Sequence, residues 1–189
     1  NCVSKIHRLF DDLNIIASTS RTDPRIYIWD LRYTETPGSS SIGSSFPLTS
    51  AHYPGDSKMV NIGYIDMNDD GRYLYVSCVD KNIYCYEMNK LFHGLYSYAK
   101  QSDIPQSIAI PTDWTSESHY ANIDIDVTKE YLATGMLHER AYIWNLARKQ
   151  TPIVSLENGS RANLTFAYFS PSHELEIVSS SSSIPLTLW

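Results

Sequence analysis

Trp29, Asp30 and Arg32 close the run RIYIWDLR, and no other residues in the chain have types and spacing that point so directly to chemistry. An arginine leaving the end of a rigid strand can make forked hydrogen bonds to backbone carbonyls or to a carboxylate, a geometry that lysine does not reproduce. Such a group recognises a protein surface and transforms nothing. The bland reading is a solvated arginine after an ordinary strand. Groupings suited to catalysis do not emerge elsewhere. His7, His52, His93, His119, His138 and His173 are dispersed, with no pair at metal-ligand spacing, and Cys78 and Cys85 face each other across a hairpin pattern, not in a C-x2-C clasp. No Gly-rich phosphate loop or nucleophile elbow is present. The expectation is a protein that is no enzyme and uses no cofactor or metal.

The bulk properties agree with a binding role. A chain of 189 residues with 42% hydrophobic content can bury one substantial core. Fifteen basic against twenty-one acidic residues give a net charge of −6, which repels a phosphate backbone, so nucleic acid is not an expected direct ligand. The longest apolar runs fall far short of the ~20 residues that span a bilayer, so no membrane partner is expected. Three cysteines make no disulfide framework and fit a reducing compartment.

The arginine must be held by a fold, and internal repetition identifies it. Four segments superpose on their final aromatic: IIASTSRTDPRIYIWDL at Trp29, YLYVSCVDKNIYCYEM at Tyr86, YLATGMLHERAYIWNL at Trp144 and LEIVSSSSSIPLTLW at Trp189. Each reads as an apolar strand with small residues at its end, a polar turn, and a second alternating strand. The aromatics stand 57, 58 and 45 residues apart. A four-stranded WD repeat takes ~40–45 residues, so the first two intervals carry insertions. A further strand precedes each hairpin, in CVSKIHRLF, VNIGYIDM, YANIDIDV and ANLTFAYFS, while SFPLTS, IPQSIAI and TPIVSL supply a fourth. No segment keeps a 3.6-residue period long enough for a helix of consequence.

The fold class is therefore all-β and the architecture a WD-repeat β-propeller. Its four blades are expected at about 2–58, 59–118, 119–158 and 159–189. They are expected to form part of a seven-bladed ring, with preceding blades before Asn1, because a blade cannot cover its own apolar faces. A WD repeat commonly joins an Asp six residues before the Trp to a His and a Ser or Thr, in a buried network ending on the indole. That pattern is incomplete here. Asp23 has the spacing to Trp29, Asp80 faces Tyr86, His138 stands before Trp144, and Ser183 before Trp189.

Taken together, these motifs resemble the C-terminal part of the propeller in denticleless proteins, the nuclear substrate receptors of cullin-4 ubiquitin ligases. The residues that carry the resemblance are Asp23 followed by RIYIWDLR, Tyr53-Pro54-Gly55 ahead of NIGY, VDKNIYCYEMNKL from Val79 to Leu91, and ERAYIWNL from Glu139 to Leu146. The match covers nearly all the chain, and TETPGSSSIGSS and SSSSSIPLTLW depart from it.

The resemblance implies a substrate-recognition subunit that bridges the ligase adaptor to cell-cycle or replication-licensing factors, some of them held on the PCNA clamp, in the nucleus. It implies adaptor binding through Trp29, Asp30 and Arg32, supported by Ile16, Ser18, Thr19, Asp23, Ile26 and Ile28 in the pattern's other positions. Corresponding places in the next two repeats hold Asn89 and Ala147, so only the first blade carries the arginine. A target surface on the opposite face would use Tyr53, Asp56, Asp113, Trp114 and Glu117. The competing class is a generic WD scaffold of another nuclear complex with no ligase role, and binding to the adaptor separates the two.

Overall fold

The computed structural model describes residues 3–9, 14–20, 22–33, 47–54, 62–78, 80–96, 103–110, 125–135, 140–148, 151–157, 164–170, 176–181 and 187–188. They form four antiparallel sheets in chain order. The first blade holds β1 (Val3–Arg8), β2 (Ile15–Ser20), β3 (Arg25–Asp30) and β4 (Thr49–His52). The second holds β5 (Ile62–Met67), β6 (Tyr73–Cys78), β7 (Asn82–Glu87) and β8 (Gln106–Ala109). The third holds β9 (Ile125–Val127), β10 (Tyr131–Thr134), β11 (Arg140–Asn145) and β12 (Val154–Glu157). The fourth holds β13 (Leu164–Phe169), β14 (Ile177–Ser181) and β15 (Thr187–Leu188). Every sequential pair is antiparallel, and the all-β, bladed arrangement read from the repeats is the one observed.

Register follows the side-chain period of two. In β3, Ile26, Ile28 and Asp30 are buried on one face while Tyr27 and Trp29 are half-buried on the other. The second strand of a blade is enclosed on both faces, so β6 reads YLYVSC with every residue after Tyr73 buried. Turns obey local rules. Gly71 takes φ +68° in NDDGR, and the Asn68 side chain accepts the Tyr73 N–H at 2.9 Å.

The apolar core lies between blades. Ile26, Ile28 and Ala51 of the first meet Ile65, Leu74 and Tyr86 of the second. Tyr75, Ile83 and Ile108 meet Ile125, Leu132 and Trp144 of the third. Ala133 and Ile143 meet Ala167 and Ile177 of the fourth. Each blade thus depends on its neighbour for burial, as the repeat pattern required.

A second link between blades is polar. On β5, Ile65 and Met67 face the first blade, so the intervening Asp66 faces the third and its Oδ2 accepts the Val127 N–H at 2.7 Å. Asp126 repeats the arrangement one blade on, accepting the Phe169 N–H at 2.6 Å. Tyr168 stands at the corresponding place on β13, and its hydroxyl meets that of Tyr64 at 3.0 Å.

One element departs from the sequence reading. The strand β7 gives way to a short helix, α1 (Met88–Phe92), inside the connection to β8. Met88 and Leu91 are buried in the core of the first two blades, and Thr49 Oγ1 donates to the Leu91 carbonyl at 3.0 Å. Five residues are too short to show a helical period, so packing and not pattern selects this turn.

Candidate functional site

At the end of β3 the chain enters a single 3-10 turn, η1 (Leu31–Tyr33), after the Leu31 N–H bonds the Asn14 carbonyl at 2.7 Å. That turn folds Arg32 back onto Asp30. The Asp30 Oδ1 accepts both the backbone N–H of Arg32 at 3.0 Å and its Nε at 2.9 Å, while Oδ2 accepts Nη2 at 2.6 Å. The carboxylate is nearly covered, with its side chain 6% exposed, but 54% of the arginine side chain is open to solvent. The result is a guanidinium fixed in direction before any partner arrives, which lowers the ordering cost of a contact.

The Arg32 hydrogen bonds hold the Asp30 carboxyl below the usual carboxylate range, against a smaller opposing effect of burial. A lowered pKa makes the clamp intact above the ordinary carboxylate range and lost only as pH falls through the lowered value. It is fully formed at neutral pH.

Trp29 has a different role from its two neighbours. It lies on the other face of β3, its Nε1 donates to Ser18 Oγ at 2.7 Å, and Tyr27 tilts against it at 5.7 Å between ring centres. The structure thus brings Asp30 and Arg32 together and makes Trp29 a brace for the blade. Replacing Ser18 with alanine is expected to strand the indole N–H and cost about 1–2 kcal/mol of stability. The Asp30–Arg32 clamp should be unchanged, because it does not use Ser18. Denaturant unfolding of wild type and variant checks the loss.

The network expected around Asp23 takes another form. Its two oxygens accept Arg25 Nε at 2.8 Å and Nη2 at 2.9 Å, and the Tyr27 hydroxyl adds a third bond at 2.9 Å. The Arg25 hydrogen bonds lower its pKa against the opposing effect of burial. β3 therefore carries a forked Asp–Arg pair at each end, at positions 23 and 25 and at 30 and 32. Sequence reasoning passed over Arg25, although the repeated Asp-x-Arg spacing was the available signal.

Asp80 likewise serves its own turn. It accepts the Tyr84 hydroxyl at 2.6 Å and the Asn82 N–H at 3.1 Å, and does not reach Tyr86, whose hydroxyl donates to the His52 carbonyl at 3.2 Å. In the third blade, Trp144 Nε1 and Thr134 Oγ1 are buried, and among the described residues neither has a partner. His138 lies outside those residues.

The target surface expected on the opposite face is changed at one position. Tyr53 is 2% exposed and packs edge-on to Tyr84 at 5.5 Å, so it belongs to the core between the first two blades and presents nothing to a partner. The residue follows directly on β4, where the alternation continues past the strand and turns it inward. Asp56, Asp113, Trp114 and Glu117 lie outside the described residues.

No family model matches the chain. Curated proteins do resemble it along most of its length. Protein lethal(2)denticleless of Drosophila melanogaster is 28% identical over 180 residues, covering 95% of this chain and 21% of that protein. The denticleless protein homolog of Homo sapiens is 29% identical over 186 residues, covering 96% of this chain and 23% of the relative. That of Danio rerio is 26% identical over 184 residues, covering 96% and 26%. The chain thus spans about a fifth to a quarter of the length of the curated relatives it matches.

Proposed function

Starting from these similarities, which support membership of the denticleless family, we propose that the chain is part of a substrate receptor of a cullin-4 ubiquitin ligase. Its first blade docks on the ligase adaptor, and other surfaces of the complete protein hold the target in the nucleus. The observation that carries the reading is the forked Asp30–Arg32 pair, which aims an exposed guanidinium outward from a rigid strand end. Asp30 acts as the positioning residue and Arg32 as the contact. The role is recognition without bond-making chemistry.

In the full-length protein, Arg32→Ala is expected to keep the thermal transition and to weaken adaptor binding by about 2 kcal/mol or more, the scale of an arginine at the centre of an interface. Calorimetric titration of wild type and variant decides it. Equal affinities would remove Arg32 from the interface. Absence of wild-type binding would favour a scaffold in another nuclear complex.

A further inference from the structure

The third blade repeats the turn that aims Arg32, with one side chain removed. Asn145 ends β11 as Asp30 ends β3, each opposite the first residue of the preceding strand, Tyr131 and Ile15. The Leu146 N–H reaches the Glu130 carbonyl at 2.8 Å, where the Leu31 N–H reaches that of Asn14 at 2.7 Å. Asn145 Oδ1 accepts the Ala147 N–H at 2.9 Å, where Asp30 Oδ1 accepts the Arg32 N–H at 3.0 Å. The two turns match bond for bond, and Ala147 ends at its Cβ where Arg32 carries a guanidinium.

Beside Ala147 lies a cavity of about 510 Å³ between the second and third blades. Tyr73 and Tyr75 line it from β6, and Lys129, Asn145, Leu146 and Ala147 from the third blade. Its size is that of a cleft that encloses a ligand group, ~300–1,000 Å³. Its exposed rim, Asp70, Lys129, Glu130 and Ala147, belongs to turns at the same end of the blades as Arg32.

The charges around the cavity are unequally engaged. Asp70 Oδ1 accepts Asn68 Nδ2 at 2.6 Å and the Arg72 N–H at 3.0 Å, and its Oδ2 faces Arg72 Nε at 3.7 Å. Asp69 Oδ2 accepts the Lys129 N–H at 3.2 Å. The Lys129 ammonium and the Arg148 guanidinium, next to Ala147, are exposed and have no ion pair among the described residues. Against them stands Glu130, likewise unpaired among those residues. Asn145 adds an amide donor at the place where Asp30 presents its second oxygen, so this socket offers N–H groups where the first blade offers an acceptor.

We infer that the adaptor sets an acidic side chain, Asp or Glu, into this cavity, with its carboxylate received by Lys129 and the Asn145 amide and attracted by Arg148 at the rim. This rests on the proposed adaptor role and adds a second contact of opposite sense. At Arg32 the chain supplies the projecting group, and at Ala147 it supplies the socket.

Titration of the full-length protein with purified adaptor tests the inference. Lys129→Glu should weaken binding about tenfold or more, and Glu130→Lys should tighten it about threefold. Both positions are exposed, so neither change should move the thermal transition. Ala147→Phe fills part of the socket without adding charge and should weaken binding about fivefold or more. Wild-type affinity in all three variants would overturn the inference and leave the Arg32 reading in place. Loss with Lys129→Glu alone would show long-range attraction without insertion, and loss with Ala147→Phe alone an uncharged entrant; either overturns it. A gain with Lys129→Glu and a loss with Glu130→Lys would mark a basic entrant and overturn it too. If wild-type protein and adaptor do not bind, the adaptor role fails and the inference with it.

Discussion

Replacing Trp144 with alanine in the full-length protein is expected to lower its stability by about 3–5 kcal/mol, the cost of emptying a large aromatic site in a packed core. Trp144 is fully buried, lies between the second and third blades with Tyr75, Ile125 and Leu132, and tilts against Tyr142 at 5.9 Å. Collapse to fill the space would need two sheets to shift together, so relaxation should recover little. The indole N–H supplies a sharper contrast. Since it is unpaired among the described residues, Trp144→Phe removes a buried donor without breaking a bond and should cost less than about 2 kcal/mol. Trp29→Phe gives up the 2.7 Å bond to Ser18 as well as volume. Urea unfolding of the three variants checks the order. A Trp144→Phe variant as damaged as Trp144→Ala would show that the indole nitrogen has a partner after all.

Stability is also expected to fall as pH rises through neutrality, and Asp66 is the cause. Burial, and next the Asp126 carboxylate, raise its pKa from 3.8 to about 7, while the N–H groups of Val127 and Met67 only partly offset this. Asp69 adds to the repulsion, and burial raises Asp126 in the same direction. The folded chain therefore binds a proton at Asp66 that the unfolded chain releases between pH 3.8 and about 7. The contribution is complete below the lower value and lost as pH rises through the upper one. At 1.36 kcal/mol per unit the loss is at most about 4 kcal/mol, on the order of half the stability of a typical domain.

Asp23 and Asp30, whose pKa values are lowered, act oppositely and only in strong acid. The optimum should consequently fall in the mildly acidic range. Asp66→Asn keeps an oxygen for the Val127 N–H but carries no charge, so it should raise stability at pH 8 by about 2 kcal/mol and flatten the dependence between pH 5 and 8. Denaturation midpoints at the two pH values, for wild type and variant, decide it. Identical wild-type midpoints would mean that Asp66 stays ionised throughout.

Features that repeat at short range were legible in the chain alone. Alternation in RIYIWD, NIYCYE and RAYIWN marks the third strands, NDDGR marks a reversal, and the spacing of Trp29, Tyr86 and Trp144 counts the blades. Period two follows from the pleat of a single strand, so no neighbour is needed to read it. Asp30 and Arg32 were legible as candidate residues at one strand end, but the sequence reading assigned the arginine's forked bonds to a partner, and their pairing with Asp30 came only with the structure.

Tertiary structure alone decided which groups meet between blades. Asp66 finds Val127 and Tyr64 finds Tyr168 across 61 and 104 residues of chain, separations over which a local pattern carries no information. It also drew Tyr53 into the core. Those outcomes depend on the angle at which one twisted sheet packs on the next, and that angle is set by the summed packing of both faces, not by the alternation within either.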